Sequence, residues 1–361
     1  MTRPKTLIIA EAGVNHNGDI NLAKKLIEIA AEAGANIVKF QTFKAKNLVT
    51  DSAPQADYQT TNTGKKESQL AMLRRLELSH ESHHDLVSHC KKYNIEFLST
   101  AFDFESLAFL VDTLGLKTLK IPSGEITNAP FLLAHAKTGC NIILSTGMAT
   151  IGEIEAALGV IAFGYTAQKN AAPSITAFQE AYYSQYGQES LKEKVCLLHC
   201  TTEYPAPFSE INLRAMDTLS HTFKLPVGYS DHSEGIFVPI AAVARGATLI
   251  EKHFTLDKNL AGPDHKASLS PSELKNMVQG IRAVELSLGN GLKIPSVSEI
   301  KNKAVARKSI VAAKPMTKGQ IISPEDLALK RPGSGKSPYL YWDLIGKTTS
   351  QTYNEGDLIL E

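Results

Sequence analysis

The chain has 361 residues with 43% hydrophobic character, enough for one large α/β domain and a small one. Lysine plus arginine number 38 against 37 aspartate plus glutamate, so no global field draws in nucleic acid or an anionic membrane. The amino-terminal MTRPKTLIIAEAG lacks a long apolar core with a cleavage site, and Pro239 and Arg245 break the apolar run at 236–250, so a cytoplasmic protein is expected. Cys90, Cys140, Cys196 and Cys200 are scattered, indicating reduced core residues and neither a disulfide framework nor a zinc ribbon.

In chain order, short β-branched runs alternate with longer segments of helical period: TLIIA, NIVKF, EFLST, TLKIP, NIILST, VCLLHC, PVGYS and ATLIEKHF. Gly34, Gly115, Gly139 and Gly246 each precede such a run and read as helix-ending glycines that feed parallel strands. Eight βα units favour a closed (β/α)₈ TIM barrel over a doubly wound sheet. No GxGxxG or GxxxxGK[ST] follows any strand, which argues against nicotinamide and P-loop chemistry. The segment from Phe163 to Lys194 is long for a connection and reads as an exposed helical excursion. The last barrel helix starts at Ser270/Pro271 and stops at Gly289. We therefore place the barrel at 1–289, a polar aperiodic linker at 290–303 and a small β-rich domain, punctuated by Gly and Pro, at 304–361.

Active sites of such barrels lie at the carboxyl ends of the strands, and polar residues collect there on all eight. In order these are Glu11, Asn15, His16 and Asn17; Lys39 and Gln41; Ser99 and Thr100; Lys120, Ser123 and Glu125; Ser145 and Thr146; Thr202, Glu203 and Tyr204; Ser230, Asp231 and His232; Glu251 and His253. One strand-end Ser or Thr commonly caps a helix; eight strands sharing the habit point to a site. Lys39 and Lys120 interrupt apolar strands, where an unpaired ammonium is costly. Their partners are Glu11 or Glu125 in a structural reading and a phosphate or carboxylate in a functional one, and a Schiff-base lysine is a third reading. His232 and His253 come from neighbouring strands and suit one metal ion with open positions, with Glu11 near to orient water. SHESHHDLVSHC carries His80, His83, His84 and His89 without the HExxH pattern and reads as a solvated helix face.

EAGVNHNGD, AGANIVKFQTFKAKNLVT, ESQLAMLRRLELS, KIPSGEITN, LSTGMAT, LHCTTEYPAP, GYSDHSEG, IEKHFTLDKNLAGPDHKASL, VARKSIVA and KRPGSGKSP together resemble the bacterial sialic acid synthase family over almost the full length. The resemblance implies a (β/α)₈ barrel followed by an antifreeze-like (SAF) domain, in a domain-swapped homodimer whose small domains cover the partner's barrel mouth. It implies metal-dependent condensation of phosphoenolpyruvate with an open-chain N-acyl mannosamine by C–O cleavage. Carried over by position, His232 and His253 hold the divalent metal, Mn²⁺ first and Mg²⁺ or Co²⁺ as alternatives. Lys39, Thr100, Lys120, Ser123, Ser145 and Ser230 hold phosphoenolpyruvate; Glu11 is catalytic; Gln41, Tyr204 and Asp264 face the sugar, and Arg331 reaches it from the partner chain. Thr202 departs from the Asn of some relatives. N-acetylmannosamine, giving N-acetylneuraminate, is the first expectation. The diacetamido trideoxy mannose that gives N,N'-diacetyllegionaminate is the alternative, and pseudaminate or a 6-phosphate substrate stand further back. Outside the family the rivals are a Schiff-base sialic acid aldolase and a saccharide- or ice-binding protein.

Overall fold

The computed structural model describes residues 5–55, 60, 67–168 and 170–361. Two compact units divide between Gly289 and Asn290. Strands β1 (Leu7–Gly13), β2 (Ile37–Thr42), β3 (Glu96–Ala101), β4 (Thr118–Ile121), β5 (Asn141–Ser145), β6 (Val195–Cys200), β7 (Val227–Asp231) and β8 (Leu249–His253) close an all-parallel barrel in chain order. Glu11 pairs in register with Lys39 on one side and with His253 on the other, closing the ring.

The local reasons are those of the helical period. The helix Ile20–Ala33 begins where Asp19 accepts from the Asn21 amide at 2.7 Å, and it buries Ala23, Leu26, Ile27 and Ala30 at i, i+3, i+4 and i+7. It ends at Gly34, whose φ of 84° only glycine adopts freely, and the chain turns directly into β2. Gly115, Gly139 and Gly246 share the positive φ. The final barrel helix, Pro271–Ser287, opens with a reciprocal capping box between Ser270 and Glu273. Inside the barrel, Ile9, Ile37, Leu98, Ile143, Leu198 and Leu249 pack together as an apolar plug.

Two expectations change, at the histidine-rich helix and at the linker, and the helical excursion gains detail. The histidine-rich helix His80–Lys92 is not a solvated face: His83 is fully buried, donating from Nδ1–H to the Ser79 carbonyl and accepting from the Thr42 hydroxyl, each at 2.8 Å. His80 stacks on Phe109 at 3.8 Å, while His84 remains exposed. The Phe163–Lys194 segment forms helices Ile175–Tyr183 and Gln185–Lys194. The first packs against the helix Ile151–Thr166, where Gly159 admits the Phe178 backbone closely and Phe163 meets Phe178 edge-on at 5.3 Å. A helix, Val297–Ala306, begins within the linker and runs past its expected end at 303, because Ser296 and Glu299 form a capping box that aperiodic hydrophobicity concealed. All four cysteines are free, and Cys196 is only half-buried.

The second unit pairs β9 (Ser309–Ala312) with β10 (Leu327–Lys330) antiparallel, around a core that includes Ile310, Met316, Ile322, Leu344, Tyr353 and Ile359. No helix among the described residues is long and apolar enough to cross a membrane.

Candidate active site

At the carboxyl ends of the strands lies a cavity of about 340 Å³. Every barrel residue singled out above for catalysis, phosphoenolpyruvate, sugar or metal lines it: Glu11, Lys39, Gln41, Thr100, Lys120, Ser123, Ser145, Tyr204, Ser230, His232, His253 and Asp264. Arg331 belongs to the second unit, where it is exposed just past β10.

The floor of the cavity is a buried network of charges. Lys39 Nζ lies 2.8 Å from Glu11 Oε2 and 3.6 Å from Glu251 Oε2, and Lys120 Nζ lies 3.6 Å from Glu251 Oε1. Burial pushes the Glu11 carboxyl up to about 7, against the pull of Lys39 and with the push of Glu251. Burial also raises Glu251, but Lys120 and Lys39 outweigh it and hold its carboxyl down at about 2. Burial lowers Lys120, with Glu251 only partly opposing, so its charge is poorly compensated and suited to an added anion. Glu251 joins the two lysines, a role the sequence reading did not assign. The signal was available, since Glu251 follows Leu249 and Ile250 in an apolar strand as the lysines do.

Hydroxyls complete the floor. Lys39 donates to Thr100 Oγ1 at 3.1 Å, Lys120 to Ser145 Oγ at 2.8 Å, and Ser230 to Glu251 Oε1 at 3.1 Å. Ser123 Oγ accepts from the Gly147 amide at 2.9 Å and lies 3.1 Å from Cys200 Sγ, so Cys200 is a wall of the cavity as well as a core residue. A side chain at Gly147 would collide with Thr202 Oγ1 and Ser123 Oγ, which is why glycine stands there.

The two imidazoles sit at the rim of this network, ring centroids 5.8 Å apart. His232 donates from Nδ1–H to the Thr201 carbonyl at 2.6 Å, leaving its Nε2 lone pair to accept from the Tyr204 hydroxyl at 3.0 Å. Burial lowers His232 to about 4 and His253 well below its ordinary value, so both rings are neutral. His253 Nδ1 is buried without a hydrogen-bond partner. Neutral rings, one with its tautomer set by a carbonyl and one with an orphaned nitrogen, fit a divalent cation. Among the described residues no group of three or more His, Cys, Asp or Glu is placed to hold a metal. An ion here would rest on two imidazoles and keep its other positions for water or substrate.

The EAGVNHNG stretch divides its labour differently from the sequence reading, in which its polarity served the reacting centre. Only Glu11 and Val14 of that stretch line the cavity. Asn15 instead donates to the Phe254 carbonyl and Ser268 Oγ, His16 accepts from the Gly18 amide, and Asn17 meets His265. The two amides tie the first loop to the last while the His16 imidazole braces the first loop itself, and Gly18 is required because a Cβ would strike the Arg75 carbonyl. Asp264 is pushed up to about 6 by burial alone, a carboxylate suited to accepting from hydroxyls of a bound molecule. Val14, Leu48, Met72, Leu73, Leu76 and Phe102 supply apolar lining, three of them from the helix Gln69–Leu76. Individual apolar residues carry no sign that they face a cavity, so this lining was not legible beforehand.

Residues 26–293 match the model of the NeuB family and residues 307–361 that of the SAF domain. The chain is 54% identical over 357 residues to the N,N'-diacetyllegionaminic acid synthase of Campylobacter jejuni, covering 99% of both chains. It is 46% identical over 353 residues to the synthase of the same name from Legionella pneumophila, covering 98% of this chain and 93% of the relative. The crystal structure of N-acetylneuraminic acid synthetase from Leptospira borgpetersenii, in complex with citrate, aligns with a TM-score of 0.66 at 34% identity, over 83% of this chain and 90% of that one. With the family model spanning most of the barrel and relatives matched nearly end to end, the chain belongs to the NeuB family, and its last unit carries a SAF domain.

Proposed function

We propose that the protein condenses phosphoenolpyruvate with 2,4-diacetamido-2,4,6-trideoxymannose to give N,N'-diacetyllegionaminate and phosphate. This replaces N-acetylmannosamine as the first choice of sugar. Two relatives at 54% and 46% identity carry the legionaminic acid synthase name, and that likeness is the observation on which the sugar rests. The apolar lining of Leu48, Met72, Leu73 and Leu76 supports it, because this sugar bears methyl groups at its second acetamido and at C6 where N-acetylmannosamine has hydroxyls.

The reaction rests on the juxtaposition of the poorly compensated Lys120, beside Lys39, with neutral imidazoles in one buried cavity. Lys39 and Lys120, with Thr100, Ser123, Ser145 and Ser230, hold the phosphate and carboxylate of phosphoenolpyruvate. His232 and His253 would hold the cation, Mn²⁺ first, which when bound polarises the sugar aldehyde. The π pair of phosphoenolpyruvate forms the new bond from C3 to the aldehyde carbon, the aldehyde C=O π pair moves onto its oxygen, which takes up a proton to become a hydroxyl, and C2 is left as an oxocarbenium faced by Glu11 and Glu251. Glu11, with its carboxyl near 7, takes a proton from the water that adds at C2. The resulting tetrahedral centre then collapses: the C2 hydroxyl gives up its proton to the departing phosphate and forms the ketone C=O as the C2–O bond to phosphate breaks. Gln41, Tyr204 and Asp264 orient the sugar, and Arg331 of a second copy contributes to it in a dimer.

The test is phosphate release from phosphoenolpyruvate with each sugar offered separately, with Mn²⁺ and with EDTA. Metal-dependent release with the diacetamido sugar in preference to N-acetylmannosamine is expected. Preference for N-acetylmannosamine would overturn the choice of sugar, and an EDTA-resistant activity trapped by borohydride would overturn the mechanism.

A further inference from the structure

Directly behind the two imidazoles, on the outer face of the same strands, lies a charge pair with no exposure at all. Lys252 Nζ is 2.6 Å from Asp231 Oδ2, and both side chains are completely buried. The two residues are partners in the β7–β8 register. Each immediately precedes one of the imidazoles, since Asp231 is followed by His232 and Lys252 by His253. The other carboxylate oxygen, Asp231 Oδ1, accepts from the Ser233 amide at 3.0 Å, the Ser233 hydroxyl at 2.8 Å and the Tyr229 hydroxyl at 3.0 Å. Lys252 also donates to the Ser233 carbonyl.

The pair therefore grips the residues on both sides of His232. That matters because the two imidazoles are held unequally. His253 is the last residue of β8 and is paired with Glu11 of β1, so the sheet fixes its backbone. His232 lies one residue beyond β7, where the ladder has ended. Its carbonyl accepts from Ala206, but the turn at Ser233 is shaped by the bonds to Asp231 and Lys252. A fully buried ion pair is weak evidence for stability, because apolar residues of similar size serve as well, and its best-attested use is to set a register. The strands need no such help, being continuous parts of a closed barrel.

The geometry points to Lys252 and Asp231 as positioning residues that set the placement of His232 relative to His253 for a divalent cation. The inference rests on the metal-binding reading of the two imidazoles. It assigns to this pair no contact with substrate; the pair acts through the backbone of His232 and Ser233.

The experiment is titration of the full chain with Mn²⁺ followed by electron paramagnetic resonance. It compares wild type, Lys252→Met and the double variant Asp231→Asn/Lys252→Met, with phosphoenolpyruvate affinity measured separately without metal. The double variant removes both charges together, so no lone ion is left buried if Lys252→Met alone fails to fold. We expect the double variant to lose at least tenfold in Mn²⁺ affinity while its phosphoenolpyruvate affinity stays within twofold. Equal losses of both affinities would mean a merely structural pair, and wild-type Mn²⁺ affinity in the double variant would likewise overturn the inference alone. Failure of the wild-type chain to bind Mn²⁺ would overturn the metal reading, and this inference with it.

Discussion

Two layers of the barrel interior, separated by only two residues on each strand, have opposite chemistry. Ile9, Ile37, Leu98, Ile143 and Leu249 make a plug in which carbon touches carbon. Two positions further along the same strands stand Glu11, Lys39, Thr100, Ser145 and Glu251, nearly as buried and almost wholly polar. The strand period of two puts both sets on one face, roughly 7 Å apart along the strand. The comparison teaches that the plug is part of the site. By excluding water from beneath, it supplies the desolvation that lifts Glu11 to about 7 and lowers Lys120. The charged layer in turn is tolerable because its members compensate one another.

The two layers should therefore fail in opposite ways. Glu11→Gln in the upper layer is expected to lower turnover by roughly 10³-fold or more, the scale of a lost catalytic group. Phosphoenolpyruvate binding should stay within about twofold, since the lysines and hydroxyls that hold it remain. Equilibrium binding beside steady-state phosphate release checks this, and near-normal turnover would remove Glu11 from the mechanism. Leu98→Ala in the lower layer should do the reverse. It is expected to cost about 2–5 kcal/mol of stability in urea unfolding of the barrel while leaving affinity for phosphoenolpyruvate unchanged at low temperature.

Burial away from the mouth shifts pKa values without serving chemistry, and this sharpens the contrast. His135 is fully buried in the helix Ala129–Lys137, donating from Nδ1–H to the Phe131 carbonyl, and burial lowers it to about 4. Its folded value lies below the unfolded one, so the stability it allows is complete above about 6.5 and is lost as pH falls toward 4. His135→Phe should gain about 3 kcal/mol relative to wild type between pH 7 and pH 4, read from urea midpoints, with activity unmoved. The smallest effect is expected at the insertion: Tyr186 is 77% exposed, and Tyr186→Ser should change stability by less than about 0.5 kcal/mol.

The strands were legible because each interior position obeys the period of two and because the helices returning to β2, β4, β5 and β8 end at glycines with positive φ. The cavity residues were legible for a related reason. A polar side chain two positions beyond a residue of the plug, near the carboxyl end of its strand, shares the plug's inward face and so points to the mouth. Side chains just beyond the strands were misread because a loop can turn them either way. Asn15, His16 and Asn17 fasten loops, whereas Tyr204 and Asp264 reach the cavity, and nothing in residue type separates the two groups.

By itself, then, the sequence determined which segments form the barrel and which positions of each strand share a face, because those follow from period, caps and chain order. Only the tertiary structure decided how the polar groups at the mouth are coupled. That Glu251 joins two lysines, that the Thr201 carbonyl sets the tautomer of His232, and that Lys252 and Asp231 lie buried behind the imidazoles all depend on ångström-scale distances between strands remote in sequence. Such distances arise from closing the barrel, and no local pattern encodes them.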